Sequence, residues 1–272
     1  MNSLTTLRRI AWGVLRRKRL SLMVFALAAA AFHALVAISF PAIGGMQAVQ
    51  SVVRTFPPGL RSLLKIAPNL QAGFGLSDYM AFSWMHPVFL GLGAAFVVAR
   101  ASDALAGEIE RGSIYLVLSR PVRRSEFVLG KALEMLIGVA VIVLAGWLGQ
   151  TAGISLMLAE TLPVGRFLLV AVEAWLLFAA LGSGALVISS LTSQATIAAA
   201  AGSAWTLVAF VLDVIPAFAN SPLGWLNPWH HYFPQEIIAS GRLDPAGIIV
   251  LLGWSLGGAT VSAAIFERRD LA

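Results

Sequence analysis

Six long apolar runs separated by short polar stretches dominate the sequence. They cover residues 20–40, 79–99, 133–158, 167–191, 195–214 and 246–266. Each reaches the roughly 20 residues a helix needs to cross a bilayer. They are continuous and rich in Ala and Leu. A barrel strand would instead alternate over about ten residues. The pattern predicts an all-α integral membrane protein with six transmembrane helices in a single domain spanning 1–272.

Two weaker amphipathic patterns lie outside the runs. Leu4, Leu7, Ala11 and Val14 fall near one helical face of residues 1–19, with Arg8, Arg9 and Arg16 off it. This predicts a cationic helix on the membrane surface. Leu60, Leu63, Leu64 and Ala67 repeat at helical spacing between prolines, with Arg61 and Lys65 turned away, which predicts a short interfacial helix. Residues 215–245 hold five prolines together with Trp225, Trp229, Tyr232 and Phe233. Such a stretch fits the membrane interface or a re-entrant segment.

Composition agrees with the pattern. Of 272 residues 58% are hydrophobic and 12% charged, too few charges to cover a soluble domain of this size. The net charge of +6 is read as membrane orientation, not nucleic-acid affinity. Basic residues crowd 1–19, 100–131 and the C-terminal tail. Only Arg54, Arg61, Lys65, Arg166 and Arg242 fall on the opposite side. The bias predicts that both termini and segment 100–131 are cytoplasmic. The basic N-terminal part is too long for a signal peptide, so residues 20–40 read as an uncleaved first span. Without cysteine there is no disulfide, thiolate metal site or thiol nucleophile.

Catalytic signatures are missing from the sequence. Gly130-Lys131 lacks the preceding glycine and the following Ser or Thr of a phosphate-binding loop. There is no G-x-S-x-G and no H-E-x-x-H. His230 and His231 are adjacent and point about 100° apart on a helix, an awkward pair for one metal. Acids inside a span are expensive and mark functional candidates. Glu173 and Asp213 are therefore candidates for a substrate path, and His33 is a polar residue in the middle of the first span. Ala198 with Gly202, and Gly253 with Gly257, permit close helix approach.

The segment GEIERGSIYLVLSRPVRRSEFVLGK, residues 107–131, concentrates charge between apolar runs. Its grammar is a helix stop at Gly112, an N-cap at Ser113, a short apolar run, a stop at Pro121 and a second N-cap at Ser125 with Glu126 in the first turn. Arg120, Arg123, Arg124 and Lys131 complete its charge. This order, acids before Gly-Ser, then IYLVLS, then proline with basic residues and a lysine at the third span, resembles the permease subunits of type-two ABC transporters. SPLGWLNPWHHYFPQEIIASG resembles the family's segment before the last helix, although WHH is more aromatic than expected. FERRDLA resembles its basic tail.

The resemblance implies a membrane-spanning subunit of an ATP-driven exporter in a bacterial or archaeal inner membrane. It further implies a dimer with a second copy or a paralogue, and two separate ATPase subunits that carry the ATP and Mg. Coupling would then run through Glu108, Glu110, Arg111, Gly112, Ser113, Ile114, Leu116, Val117, Leu118, Pro121, Arg123 and Arg124. Residues 113–119 would be a coupling helix whose apolar side chains dock on the ATPase, with Glu108, Glu110, Arg123 and Arg124 around the rim. Residues 1–19 would form an elbow helix against lipid. The competing reading is a secondary transporter or ion channel using Glu173, Asp213 and His33. A membrane-embedded enzyme is a third class, one that lacks a clustered nucleophile, base or metal set.

Overall fold

The computed structural model describes residues 3–57, 75–119, 121–157 and 162–270. Among these there is no strand, and six helices are long and apolar enough to cross a membrane. The expected helix over Leu60 to Ala67 and the basic Arg120 lie outside the described residues. The first span is Arg19–Ser39 and the fifth Ala195–Val214. The fourth is Val164–Leu191 and the sixth Pro245–Arg268. The second is broken into Leu76–Met85 and Pro87–Ala104. The break follows from Pro87, which cannot donate to the preceding turn. His86 instead caps the new helix, accepting from Val88 N at 3.2 Å.

The third helix, Arg124–Met157, has 34 residues. At 1.5 Å per residue it is about 51 Å long, well beyond the roughly 30 Å hydrocarbon core. Its first turns are therefore charged and stand clear of the apolar run that begins at Leu133. The helix Ser3–Arg17 lies against this extension with Ala11, Val14 and Leu15 buried, while Arg8, Arg9, Arg16 and Arg17 remain exposed. A helix that hydropathy did not indicate, Gly45–Thr55, follows the first span.

The fourth span is the centre of the bundle. Phe178 on it packs edge to face on Phe89 of the second span at 5.6 Å, and Phe89 packs on Trp84 at 5.1 Å. The first span packs on the third through small residues. A Cβ at Gly149 or Gly153 would run into the backbone of Ala30 or Ala34. Gly149→Leu is therefore expected to separate these spans and to cost at least about 1–3 kcal/mol. A lowered midpoint of thermal unfolding in detergent checks this, and wild-type stability would contradict the packing.

His33 is fully buried in this bundle. Its Nδ1 is 2.9 Å from Ser83 Oγ, and the ring lies 4.4 Å from that of Trp84. Gln150 completes the knot. It accepts from Trp84 Nε1 at 2.9 Å and donates to Met80 O at 2.9 Å. These side chains hold polar groups together across three spans.

Candidate functional site

The helix Ser3–Arg17, the charged segment and the end of the sixth span gather at one end of the bundle, here called the basic end. The second span runs into a short helix, Ala106–Glu110. Leu105 and Ala106 are fully buried, and Ala106 N donates to Ser189 Oγ of the fourth span at 3.1 Å. The chain reverses at Gly112, whose φ of 69° lies in the left-handed region that favours glycine. The helix Ser113–Leu118 follows.

Ser113 does not act as the N-cap that the sequence suggests. Its hydroxyl reaches back to the Glu108 carboxylate and donates to the Glu108 carbonyl at 3.2 Å. The position before the helix belongs to Gly112. The third span likewise starts before Ser125, at Arg124. Glu126 Oε2 accepts from Arg123 N at 3.2 Å, which places the cap two residues earlier than expected. Pro121 and Arg123 are exposed, and Arg124 Nη1 donates to Arg269 O at 2.6 Å. Arg269 in turn donates to the end of the fourth span, at Ser190 O (2.9 Å) and Thr192 O (2.8 Å).

Charge in the segment is divided between interior and surface. Glu108, expected on a rim, is buried and accepts from Lys131 Nζ at 2.6 Å. Burial alone would raise the Glu108 carboxyl. The Lys131 charge and hydrogen bond, the Ser113 hydroxyl and Arg111 outweigh it and hold the group below its ordinary 4.5. Asp103 pairs with both Lys18 and Arg111, the latter at 2.6 Å. Arg100 Nη1 lies 3.5 Å from Glu134 Oε1, with both side chains under 5% exposed. Glu110 stays exposed, and its Oε2 accepts from Ala195 N at 2.9 Å, at the start of the fifth span.

The apolar side chains divide in the same way. Ile114 is fully buried in the bundle, so it cannot meet a partner. Val117 is half-buried. Leu116 is 73% exposed and Tyr115 53% exposed. Leu118 is the last residue of the helix. The surface offered by the helix is thus Tyr115 with Leu116. Tyr115, Arg100, Asp103 and Glu134 were not among the sequence candidates. Glu134 had a visible signal, an acid in the first turn of an apolar run with basic residues nearby.

The opposite end carries the segment between the fifth and sixth spans. Pro228, Trp229, His231, Tyr232, Pro234, Ile237 and Ile238 are buried. The segment is tied to the spans by side chains reaching backbone carbonyls. Asn227 Nδ2 donates to Ala209 O at 2.7 Å, Trp229 Nε1 to Thr206 O at 3.2 Å and Tyr232 Oη to Trp84 O at 2.8 Å. The two path candidates belong to the same fastening. Asp213 Oδ1 lies 3.1 Å from His230 Nδ1, and Glu173 Oε2 accepts from Phe233 N at 3.2 Å. His231 takes a separate direction, donating from Nε2 to Trp225 O at 2.6 Å. Among the described residues no three His, Asp or Glu side chains are grouped to hold a metal. Glu173 and His230 border a polar cavity of about 470 Å³ at this end of the bundle. His33 sits apart from both acids, on Ser83.

No individual curated protein matches the chain. Over residues 13–271 the sequence matches the family described as ABC-2 family transporter protein. That match covers every described span, the charged segment between the second and third, and the fastened segment before the sixth. The chain belongs to the ABC-2 transporter family and is a multi-pass membrane subunit of an ABC transporter.

Proposed function

We propose that this subunit works as the permease of an ATP-driven exporter, paired with a second copy or a paralogue and driven by two ATPase subunits docked at the basic end. The observation that carries the reading is the exposed Tyr115–Leu116 surface on a helix whose other side is locked into the bundle by Ile114. An apolar, charge-bordered surface fixed to a rigid base is what a soluble partner needs to transmit movement. The buried pairs Glu108–Lys131 and Arg100–Glu134, together with Asp103, join the segment to the second and third spans. A displacement of the helix would thus reach both spans without being absorbed by a flexible loop. ATP and Mg belong to the partner.

The basic end faces the cytoplasm in this reading, following the arginine and lysine bias, and the membrane is the bacterial or archaeal inner membrane. The N-terminal helix then rests at the lipid surface, with Leu4 and Trp12 exposed among its arginines. The first and fifth spans are the least buried within one chain, which supports their facing lipid or a second permease. Glu173 and Asp213 stand at the outer mouth of the path, where they hold the re-entrant segment. Membership of the ABC-2 family favours this over a secondary transporter relying on Glu173, Asp213 and His33.

Two measurements test the proposal. Purification in mild detergent is expected to retain an ATPase subunit, with MgATP hydrolysis in the isolated complex. A cysteine at Thr55→Cys is expected to react with an impermeant maleimide from outside intact cells. Transport driven by an ion gradient with no ATPase subunit bound, or labelling of Thr55→Cys only after the inner face is opened, would overturn it.

A further inference from the structure

We propose that the helix Ser3–Arg17 binds anionic phospholipids of the leaflet at the basic end, and that their occupancy sets how efficiently the helix Ser113–Leu118 couples the permease to its ATPase subunit. The lipid binding stands on the geometry of the N-terminal helix, whereas the coupling step rests on the permease reading. Leu4, Arg8, Trp12 and Arg16 follow one another every four residues and share one strip, and all four are exposed. The Arg16 guanidinium lies over the Trp12 ring, 5.6 Å from its centre. Arg9, Arg17 and Arg19 are exposed as well, and the helix itself holds no acid.

The occupant has to satisfy a cationic and an apolar surface together. Guanidinium forks match phosphate oxygens with paired hydrogen bonds, and an indole ring seats at the headgroup level of a bilayer. The apolar surface continues into the first span, with Lys18 the single residue between the two helices. Leu20, Met23, Val24 and Leu27 then recur at helical spacing, each more than half exposed. A phospholipid meets the arginines with its phosphate and covers the stripe with its acyl chains. A free phosphate ion or a nucleic acid would meet the arginines and leave Leu4, Trp12 and the stripe uncovered. A net negative headgroup is favoured, because a zwitterionic one brings its own cation among the guanidinium groups.

The other face of the same helix is fastened to the parts that carry the coupling segment. A Cβ on Gly130 would lie 2.8 Å from that of Ile10, so the helix approaches the third span closely at the residue next to Lys131. Lys18 pairs with Asp103, and Arg100 Nη2 donates to Lys18 O at 3.4 Å. Asp103 also holds Arg111 at 2.6 Å, directly before the reversal at Gly112. Four consecutive cations, Arg16 to Arg19, repel one another, and an anionic headgroup removes that repulsion. A bound headgroup therefore steadies Lys18, and through Asp103 and Arg111 the base of the helix Ser113–Leu118.

Two measurements test the assignment. Native mass spectrometry of the full-length permease compares retained phosphatidylglycerol with retained phosphatidylcholine. MgATP hydrolysis by the complex with its ATPase subunit is compared in phosphatidylcholine nanodiscs with and without phosphatidylglycerol. Phosphatidylglycerol is expected to be retained preferentially and to raise hydrolysis, and potassium chloride should reverse the rise because the arginines are exposed. Arg8→Gln and Arg16→Gln should each weaken retention about fivefold, a change of about 1 kcal/mol. Their thermal midpoints should stay at the parent value, since both side chains are exposed. Arg8→Lys and Arg16→Lys should keep most of the retention. Equal retention of the two lipids would overturn the site, and so would undiminished retention by the double variant Arg8→Gln, Arg16→Gln. Loss of the ATPase subunit from that double variant would assign the strip to the protein partner instead. A normal lipid preference with hydrolysis indifferent to phosphatidylglycerol would overturn the coupling step. Absence of any ATPase subunit from the purified complex would remove the permease reading, and lipid retention by the chain would stand or fall separately.

Discussion

Leu116→Glu is expected to abolish capture of the ATPase subunit while the chain still folds and inserts. Leu116 is 73% exposed, so a charge there disturbs no contact within the bundle. Exposed substitutions of this kind stay within about 0.5 kcal/mol of the parent stability. At the centre of an interface, losing an anchoring side chain costs about 2 kcal/mol or more, at least about 30-fold in affinity. A carboxylate desolvated against an apolar pocket adds to that loss. Ile114→Glu is the contrasting variant. It forces a carboxylate into the core of the chain itself, and lower yield and thermal stability should appear before any question of partner binding. The two measurements are the ATPase-to-permease ratio after affinity purification and the thermal midpoint of the permease alone. A normal ratio for Leu116→Glu would remove the helix Ser113–Leu118 from the docking surface.

Lys131→Met is expected to be the most damaging single change at the basic end. Lys131 and Glu108 have side-chain exposures of 3% and 8% and lie 2.6 Å apart. Removing the ammonium leaves a buried carboxylate with no opposite charge at that distance, a loss of about 3–5 kcal/mol. The double variant Glu108→Leu, Lys131→Met should recover much of the stability, because two apolar side chains need no mutual neutralisation. Ser113 keeps an acceptor in the Glu108 carbonyl.

The pH dependence has a definite sign. The folded-state Glu108 carboxyl is held below its ordinary 4.5. Its contribution is therefore complete above about pH 4.5 and is lost as the pH falls through the lower folded-state value. Thermal unfolding of parent and variants between pH 7 and pH 4 measures this. Equal loss in the single and double variants would show that the pair contributes nothing by pairing.

The helix Ser113–Leu118 shows why part of the candidate site was legible and part was not. Gly112 announced a reversal because a left-handed turn favours glycine, and the φ of 69° agrees. The apolar run IYLVLS announced a short helix needing cover. What covers each side chain could not be read, because in six residues periodicity does not distinguish burial in the same chain from burial by another. Ile114 is covered by the bundle, whereas Leu116 is open. The cap assignments slipped for a related reason. Ser113 and Ser125 had the right chemistry for N-caps, but Glu108 and Glu126 took the competing hydrogen bonds.

Charge in the segment also had two meanings. Eight charged residues between apolar runs mark a stretch that leaves the lipid, since each would cost about 2.5–3.5 kcal/mol at a bilayer centre. That argument is indifferent to whether a charge meets water or another side chain. Glu108 and Lys131, 23 residues apart, meet each other because the chain reverses at Gly112 and returns into the third span. Arg100 and Glu134 pair across two spans for the same reason.

Hydrophobic run length by itself determined the class of protein and the number of spans. A bilayer imposes one thickness on every crossing helix, so about 20 apolar residues carry the information locally. Glycine likewise determined the helix stop at Gly112, because backbone restrictions act within a few residues, whereas the second span, read as one continuous run, is broken at Pro87. The tertiary structure alone decided the rest. It turned Glu173 and Asp213 into fastenings of the segment between the fifth and sixth spans, paired the buried charges, and opened a cavity lined by Gly91, Ala94 and Ala95. Small residues in a span read equally well as close packing or as empty space. Only the arrival of Phe210, Trp229 and Tyr232 from distant parts of the chain makes them the wall of a cavity, and helix packing is a property of pairs of segments that no single stretch of sequence contains.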